Sequence, residues 1–180
     1  MNAMSNLILI GPMGAGKTTN GKWLARQLGK TFIDMDAYIE QKTGTGITHI
    51  FELEGEAGFR QREAAALAEI LANENQVIAT GGGSILLDAN RELMKRRGLV
   101  LYMHIPPEMQ LQRLLNDRKR PLLQTGDRAE RLQQLAAVRT PIYQSCADIK
   151  IDISRMPMSQ IRPHLLQTLL EHGMSNNHHA

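Results

Sequence analysis

Residues 11–18 read Gly-Pro-Met-Gly-Ala-Gly-Lys-Thr, the spacing G-x-x-x-x-G-K-[ST]. Each residue type has a physical task. Glycines let the backbone curl so that several N–H groups converge on one phosphate chain. The helix expected to begin near Gly16 adds the positive end of its dipole. The Lys17 ammonium reaches β- and γ-phosphates, and the Thr18 hydroxyl is a ligand for Mg²⁺. The expected nucleotide-binding residues are therefore Gly14, Ala15, Gly16, Lys17, Thr18 and Thr19. A chance glycine-rich turn would not need the apolar run Leu7-Ile8-Leu9-Ile10 before it and a helical pattern over 22–28 after it. The loop implies a nucleoside triphosphate, but not what receives its γ-phosphate.

Five further clusters bear on the acceptor. Asp34 and Asp36 stand in Phe32-Ile33-Asp34-Met35-Asp36, at the carboxyl end of an expected strand, where ligands of open parallel sheets bind. Asp34 is suited to hold a metal's waters, and Asp36 to accept from a substrate hydroxyl as general base. The plainer reading of Asp36 is a helix cap. Arg60 precedes Glu63 by three residues, close enough on one helix face to be held by it. A guanidinium so held is a natural partner for a carboxylate, unless the two are only a surface ion pair. Arg62 points elsewhere, toward solvent. Gly81, Gly82 and Gly83 follow another apolar run, and three glycines are costly in chain entropy. Close backbone approach to a ligand, with N–H groups turned inward, explains them better than a flexible turn. Arg120 lies in Asp117-Arg118-Lys119-Arg120-Pro121, within a segment 117–127 expected to be a mobile loop. An arginine carried there can neutralise charge on a transferring phosphoryl group. Arg139 opens Arg139-Thr140-Pro141-Ile142-Tyr143 on a long helix, and its spacing does not decide between the site and solvent.

The elements that must position these groups alternate along the chain. Strands are expected at 6–10, 31–34, 76–79, 99–104 and 149–153, and helices at 17–27, 35–43, 55–72, 89–96, 107–116, 128–144 and 159–172. That rhythm predicts an α/β fold with a mostly parallel sheet and helices on both faces. Asp127 followed by Glu130 has the form of a helix cap. The 180 residues suit one domain, taken as 4–173, with a polar tail over 174–180. Hydrophobic content of 42% and charged content of 22% are ordinary for a globular chain. With a net charge of +3 and 4% aromatic residues, a base-stacking nucleic-acid surface is not expected. No apolar stretch approaches a membrane span, and no secretory signal stands at the N-terminus. The single Cys146 excludes an internal disulfide and reads as a small buried hydrophobe, which suits the cytoplasm.

Taken together, these segments resemble the shikimate kinase family over nearly the whole chain. The phosphate loop is widely shared. The ordered set of Asp34-Met35-Asp36, residues 55–63 (Gly-Glu-Ala-Gly-Phe-Arg-Gln-Arg-Glu), Gly81-Gly82-Gly83, Arg120-Pro121-Leu122-Leu123 and Arg139-Thr140-Pro141-Ile142-Tyr143 is specific. The resemblance implies a three-layer α/β/α, nucleoside-monophosphate-kinase-like fold with five parallel strands and a lid over 117–127. It implies transfer of the ATP γ-phosphate to the 3-hydroxyl of shikimate, in aromatic amino-acid biosynthesis, by a monomer acting on small molecules. By the same resemblance Thr18 ligates Mg²⁺ and Asp34 binds it through water. Asp36 holds the reacting hydroxyls, and Arg60 and Arg139 grip the shikimate carboxylate beside Gly81, Gly82 and Gly83. Arg120 and Lys17 meet the phosphates, and Arg113 lies near the adenine. Asn20 and Trp23 depart from the expected pattern without removing a functional group. A gluconate-type kinase, an ATPase and a catalytically silent nucleotide-binding regulator are the competing readings. The two arginines with the triple glycine oppose the first. No water-orienting residue is identifiable for the second, and the acceptor-side Asp36 opposes the third.

Overall fold

The computed structural model of the chain describes residues 6–115 and 127–174. Five short strands pair in parallel: β1 (Leu7–Ile10), β2 (Thr31–Asp34), β3 (Gln76–Ala79), β4 (Leu99–His104) and β5 (Ile149–Asp152). Their order across the sheet is β2-β3-β1-β4-β5. β1 is central and every residue in it is buried, which is why it is apolar without alternation. Its register sets Leu7 beside Val77 on one side and Leu99 on the other.

Among the described residues seven helices cover the two faces: α1 (Lys17–Leu28), α2 (Met35–Thr43), α3 (Ile47–Ile70), α4 (Asp88–Arg97), α5 (Pro107–Leu114), α6 (Arg128–Cys146) and α7 (Met158–Glu171). Alternate strand residues face opposite ways. Leu7 and Leu9 join Leu24 and Leu28 of α1 and Leu165 and Leu169 of α7 in one core. Ile8 and Ile10 join Leu67 and Ile70 of α3 and Tyr143 of α6 in the other. The fold is thus the expected three-layer α/β/α arrangement. Cys146 is fully buried in the second core, as expected of a small hydrophobe.

Four strands end at the residue where the sequence places them. β5 stops at Asp152, because the Asp152 carboxylate accepts the Ser154 amide and opens a 3-10 turn, Ile153–Arg155. The larger difference is α3. The sequence predicts a helix from residue 55, whereas α3 starts at Ile47 and is interrupted at Gly55 (φ 68°, ψ −175°). The signal for the earlier start is not local. Gly46 at the cap position offers no side chain, and the Ile47 amide is accepted instead by Glu40 of α2 at 3.1 Å.

Residues 117–126 of the expected lid lie outside the described residues. Asp127 is described and caps α6, its carboxylate accepting the Ala129 and Glu130 amides. Met174 is buried in the first core, and 175–180 lie outside the described residues. At the amino-terminal edge of the sheet Asn6, 1% exposed, donates to the carbonyls of Asn73 and Arg97 and accepts the Gln76 amide. Among the described residues no helix is long and apolar enough to cross a membrane.

Candidate active site

A cavity of about 450 Å³ opens at the carboxyl ends of β1, β2 and β3. Its wall includes Gly14, Gly16, Lys17, Thr18 and Thr19 from the phosphate loop, which a chain turning sharply out of β1 delivers there. A β-carbon on Gly11 would overlap the Met103 carbonyl, and Gly16 caps α1 at φ 88°, so both positions require glycine. Ala15 does not line the cavity. Its methyl group packs in the core and its amide donates to the Pro12 carbonyl within the loop. The Lys17 ammonium donates to the carbonyls of Gly11 (2.7 Å) and Pro12 (2.9 Å), tying the loop's end to its beginning. Side chains brace the loop from outside. Arg113 donates to the Gly14 carbonyl at 2.7 Å and Gln110 to that of Met13 at 2.9 Å. Asn20, unexpected in the sequence, donates to the Gly16 carbonyl.

Asp34 ends β2 in an extended conformation and divides its carboxylate between two partners. One oxygen accepts the Ala37 amide and caps α2, and the other accepts the Thr18 hydroxyl at 2.7 Å. The capping role weighed for Asp36 therefore belongs to Asp34. Asp36 lies inside the first turn of α2, half-buried on the cavity wall.

The cavity lining also carries cations. Arg60 donates to Glu63 at 2.7 Å, as its three-residue spacing predicts, and to Glu56 at 3.2 Å. Glu63 is 1% exposed. A carboxylate so buried needs partners, and the Ser84 hydroxyl supplies another at 2.9 Å. Arg62 instead pairs with Glu54, remaining solvent-accessible. Arg139 is 6% exposed and reaches the same lining from α6. Burial pushes its guanidinium below the usual arginine range, and the nearby Arg60 charge adds to that. Two cations crowded at one end of a cavity form a trap for an anion.

The triple glycine has a reason other than an unusual backbone. None of Gly81, Gly82 and Gly83 has a positive φ. Side chains pack against them instead. A β-carbon on Gly83 would overlap the Arg60 guanidinium, and one on Gly81 would stand 2.8 Å from Glu63 Oε2 and 3.2 Å from Asp36 Oδ1. The glycines let the site's charged groups close over the turn.

Of the expected site residues, Arg120 lies outside the described residues. All others except Ala15 and Arg113 share the one cavity. Sequence reasoning missed the hold of Glu56 on Arg60, although its i,i+4 spacing was readable. It also missed the apolar wall of Ile47, Phe51 and Phe59, since two of these lie in the unforeseen half of α3. The site thus combines a triphosphate loop, a hydroxyl and carboxylate suited to a hard cation, an acceptor-side carboxylate and a paired-arginine anion trap.

The family model for shikimate kinase matches residues 13–170. A relative named shikimate kinase in Nitrosococcus oceani is 45% identical over 167 residues, covering 93% of this chain and 88% of the relative. Another in Halorhodospira halophila is 51% identical over 148 residues, covering 82% and 84%. Among solved structures, shikimate kinase from Acinetobacter baumannii in complex with shikimate superposes with a TM-score of 0.90 at 44% identity, covering 96% of each chain. A gluconokinase from Sinorhizobium meliloti superposes at 0.60 with 17% identity, a likeness of fold alone.

Proposed function

Because the chain belongs to the shikimate kinase family, we propose that its cavity transfers the γ-phosphate of ATP to the 3-hydroxyl of shikimate, giving shikimate 3-phosphate and ADP. The observation that carries this reading is that Arg60 and Arg139 line one cavity together with Asp36 and the phosphate loop. A ring bearing a carboxylate and hydroxyls needs cations at one end and a hydrogen-bond acceptor at the other. Gluconate also carries a carboxylate, but its homologous fold is shared here without sequence likeness, whereas the relatives at 44–51% identity are shikimate kinases.

Arg60 and Arg139 bind the shikimate carboxylate, alongside the backbone of Gly81, Gly82 and Gly83. Asp36 accepts from the reacting hydroxyl and takes its proton as general base. Gly14, Ala15, Gly16, Lys17, Thr18 and Thr19 hold the triphosphate, with Lys17 spreading positive charge toward the γ-phosphate. Arg120 joins them at the phosphates, a role that rests on its match to the family motif. Thr18 and Asp34 fit Mg²⁺, since a hydroxyl and a carboxylate oxygen 2.7 Å apart are hard donors. Bound Mg²⁺ supplies further neutralisation of phosphate charge. Catalysis is then chiefly positioning and electrostatics. The enzyme works in the cytoplasm, a reading supported by its single cysteine, which forms no internal disulfide.

A coupled assay of ATP turnover with shikimate, with gluconate and with no acceptor tests the assignment. Turnover should require shikimate. Equal turnover with gluconate, or turnover without acceptor, would overturn it.

A further inference from the structure

Tyr143 is 2% exposed on α6, one turn beyond Arg139, and touches the site only through other groups. Its hydroxyl donates to the Gly82 carbonyl at 2.5 Å. That commits its one proton, so the oxygen faces its other neighbours as an acceptor, and the Arg139 guanidinium, which has donors only, lies over the same turn. A β-carbon on Gly82 would stand 3.4 Å from Arg139 Nη1 and 3.6 Å from the Tyr143 hydroxyl, so glycine admits both groups over the turn. The ring is fixed independently. It stacks on Tyr102 with centroids 5.0 Å apart, at 24° between planes. Burial holds the phenol above its ordinary pKa range, so it stays a neutral donor.

We propose that Tyr143 is a positioning residue for substrate recognition: its hydroxyl, held on the Gly82 carbonyl, stands beside the Arg139 guanidinium over the same turn and so sets the angle at which Arg139 meets the shikimate carboxylate. The inference rests on the carboxylate-binding role given to Arg139 above. Repulsion from Arg60 would otherwise drive Arg139 aside, and a neutral acceptor behind it restrains it without cancelling the charge the substrate needs. Phenylalanine at this position keeps the stacked ring and removes only the hydroxyl.

Calorimetric titration of shikimate and of its methyl ester onto the wild type, Tyr143→Phe, Arg139→Ala and the double variant tests this. Tyr143→Phe should weaken shikimate binding about tenfold, the scale of one hydrogen bond to a charged group. It should leave binding of the ester and of ATP unchanged, with a raised shikimate KM and little change in kcat. In the Arg139→Ala background it should add nothing. If Arg139→Ala weakens shikimate binding and Tyr143→Phe does not, the positioning role falls and the role of Arg139 stands. If Arg139→Ala has no effect, both fall. Equal weakening for shikimate and ester, or weakened ATP binding, would mean a general structural role and overturn the proposal. Gly82→Ala, whose β-carbon would meet both Arg139 Nη1 and the Tyr143 hydroxyl, should reproduce the carboxylate-selective loss if Tyr143→Phe does not fold.

Discussion

Asp36 and Arg60 stand on the same cavity wall system, yet their loss should read differently. Asp36, the proposed acceptor at the reacting end, stands on α2, while Lys17 and Thr18, the proposed triphosphate ligands, stand separately on α1. Asp36→Asn should therefore lower turnover by about 10²–10⁴-fold with nucleotide affinity intact, read by coupled assay and nucleotide titration. Near-normal turnover would refute its role as base. Arg60, the proposed carboxylate ligand, is also half of a buried pair with Glu63, their side chains 12% and 1% exposed. Arg60→Ala should weaken shikimate binding and also destabilise the chain by about 3–5 kcal/mol, because it strands a buried carboxylate. A surface pair would cost at most about 1 kcal/mol, so denaturant unfolding separates the two cases. The Arg60–Glu63 contact was legible because helix spacing writes i,i+3 neighbours into the sequence. The burial of Arg139 was not, because it depends on α6 and α3 lining one cavity, a relation no local pattern contains.

Elements were legible wherever a run of apolar residues had local boundaries, as β1 to β4 and α2 did. α3 was misread at its start because its cap comes from Glu40, seven residues upstream and on another helix. The interruption at Gly55 has a conformational reason. At φ 68° and ψ −175° it occupies a region open essentially to glycine alone. Ion pairs flank the break, Glu54 with Arg62 and Glu56 with Arg60, so the bend sets the line along which Arg60 enters the site. No neighbour would obstruct a β-carbon at Gly55. Gly55→Ala thus isolates backbone strain of about 1–3 kcal/mol. Its melting temperature should fall by about 3–10 °C in a calorimetric scan. An unchanged melting temperature would mean that the bend relaxes into continuous helix.

Across the whole molecule the two edges of the sheet have separate duties. The carboxyl edge carries the cavity, and the amino edge carries the Asn6 knot, where one side chain ties the approaches to β1, β3 and β4. Asn6→Ala should lower stability by about 2–4 kcal/mol, since it leaves the buried Gln76 amide and two carbonyls short of partners. KM values for ATP and shikimate should not move, and a coupled loss of substrate affinity would show that the edges are not separate. The three-layer class was legible from the alternation of strand and helix. The knot was not, because Asn6, Asn73, Gln76 and Arg97 are brought together only by the strand order. That order also bears on how the chain is made. β1 and β2 emerge first from the ribosome but are not neighbours, because β3 is inserted between them. The partners of β1 follow about 70 and 90 residues later. At about 5–20 residues per second, its four apolar side chains wait on the order of ten seconds unpaired. The strand that ends deepest in the fold is thus the one longest exposed during synthesis, and no part of the sheet can close until β3 has left the tunnel.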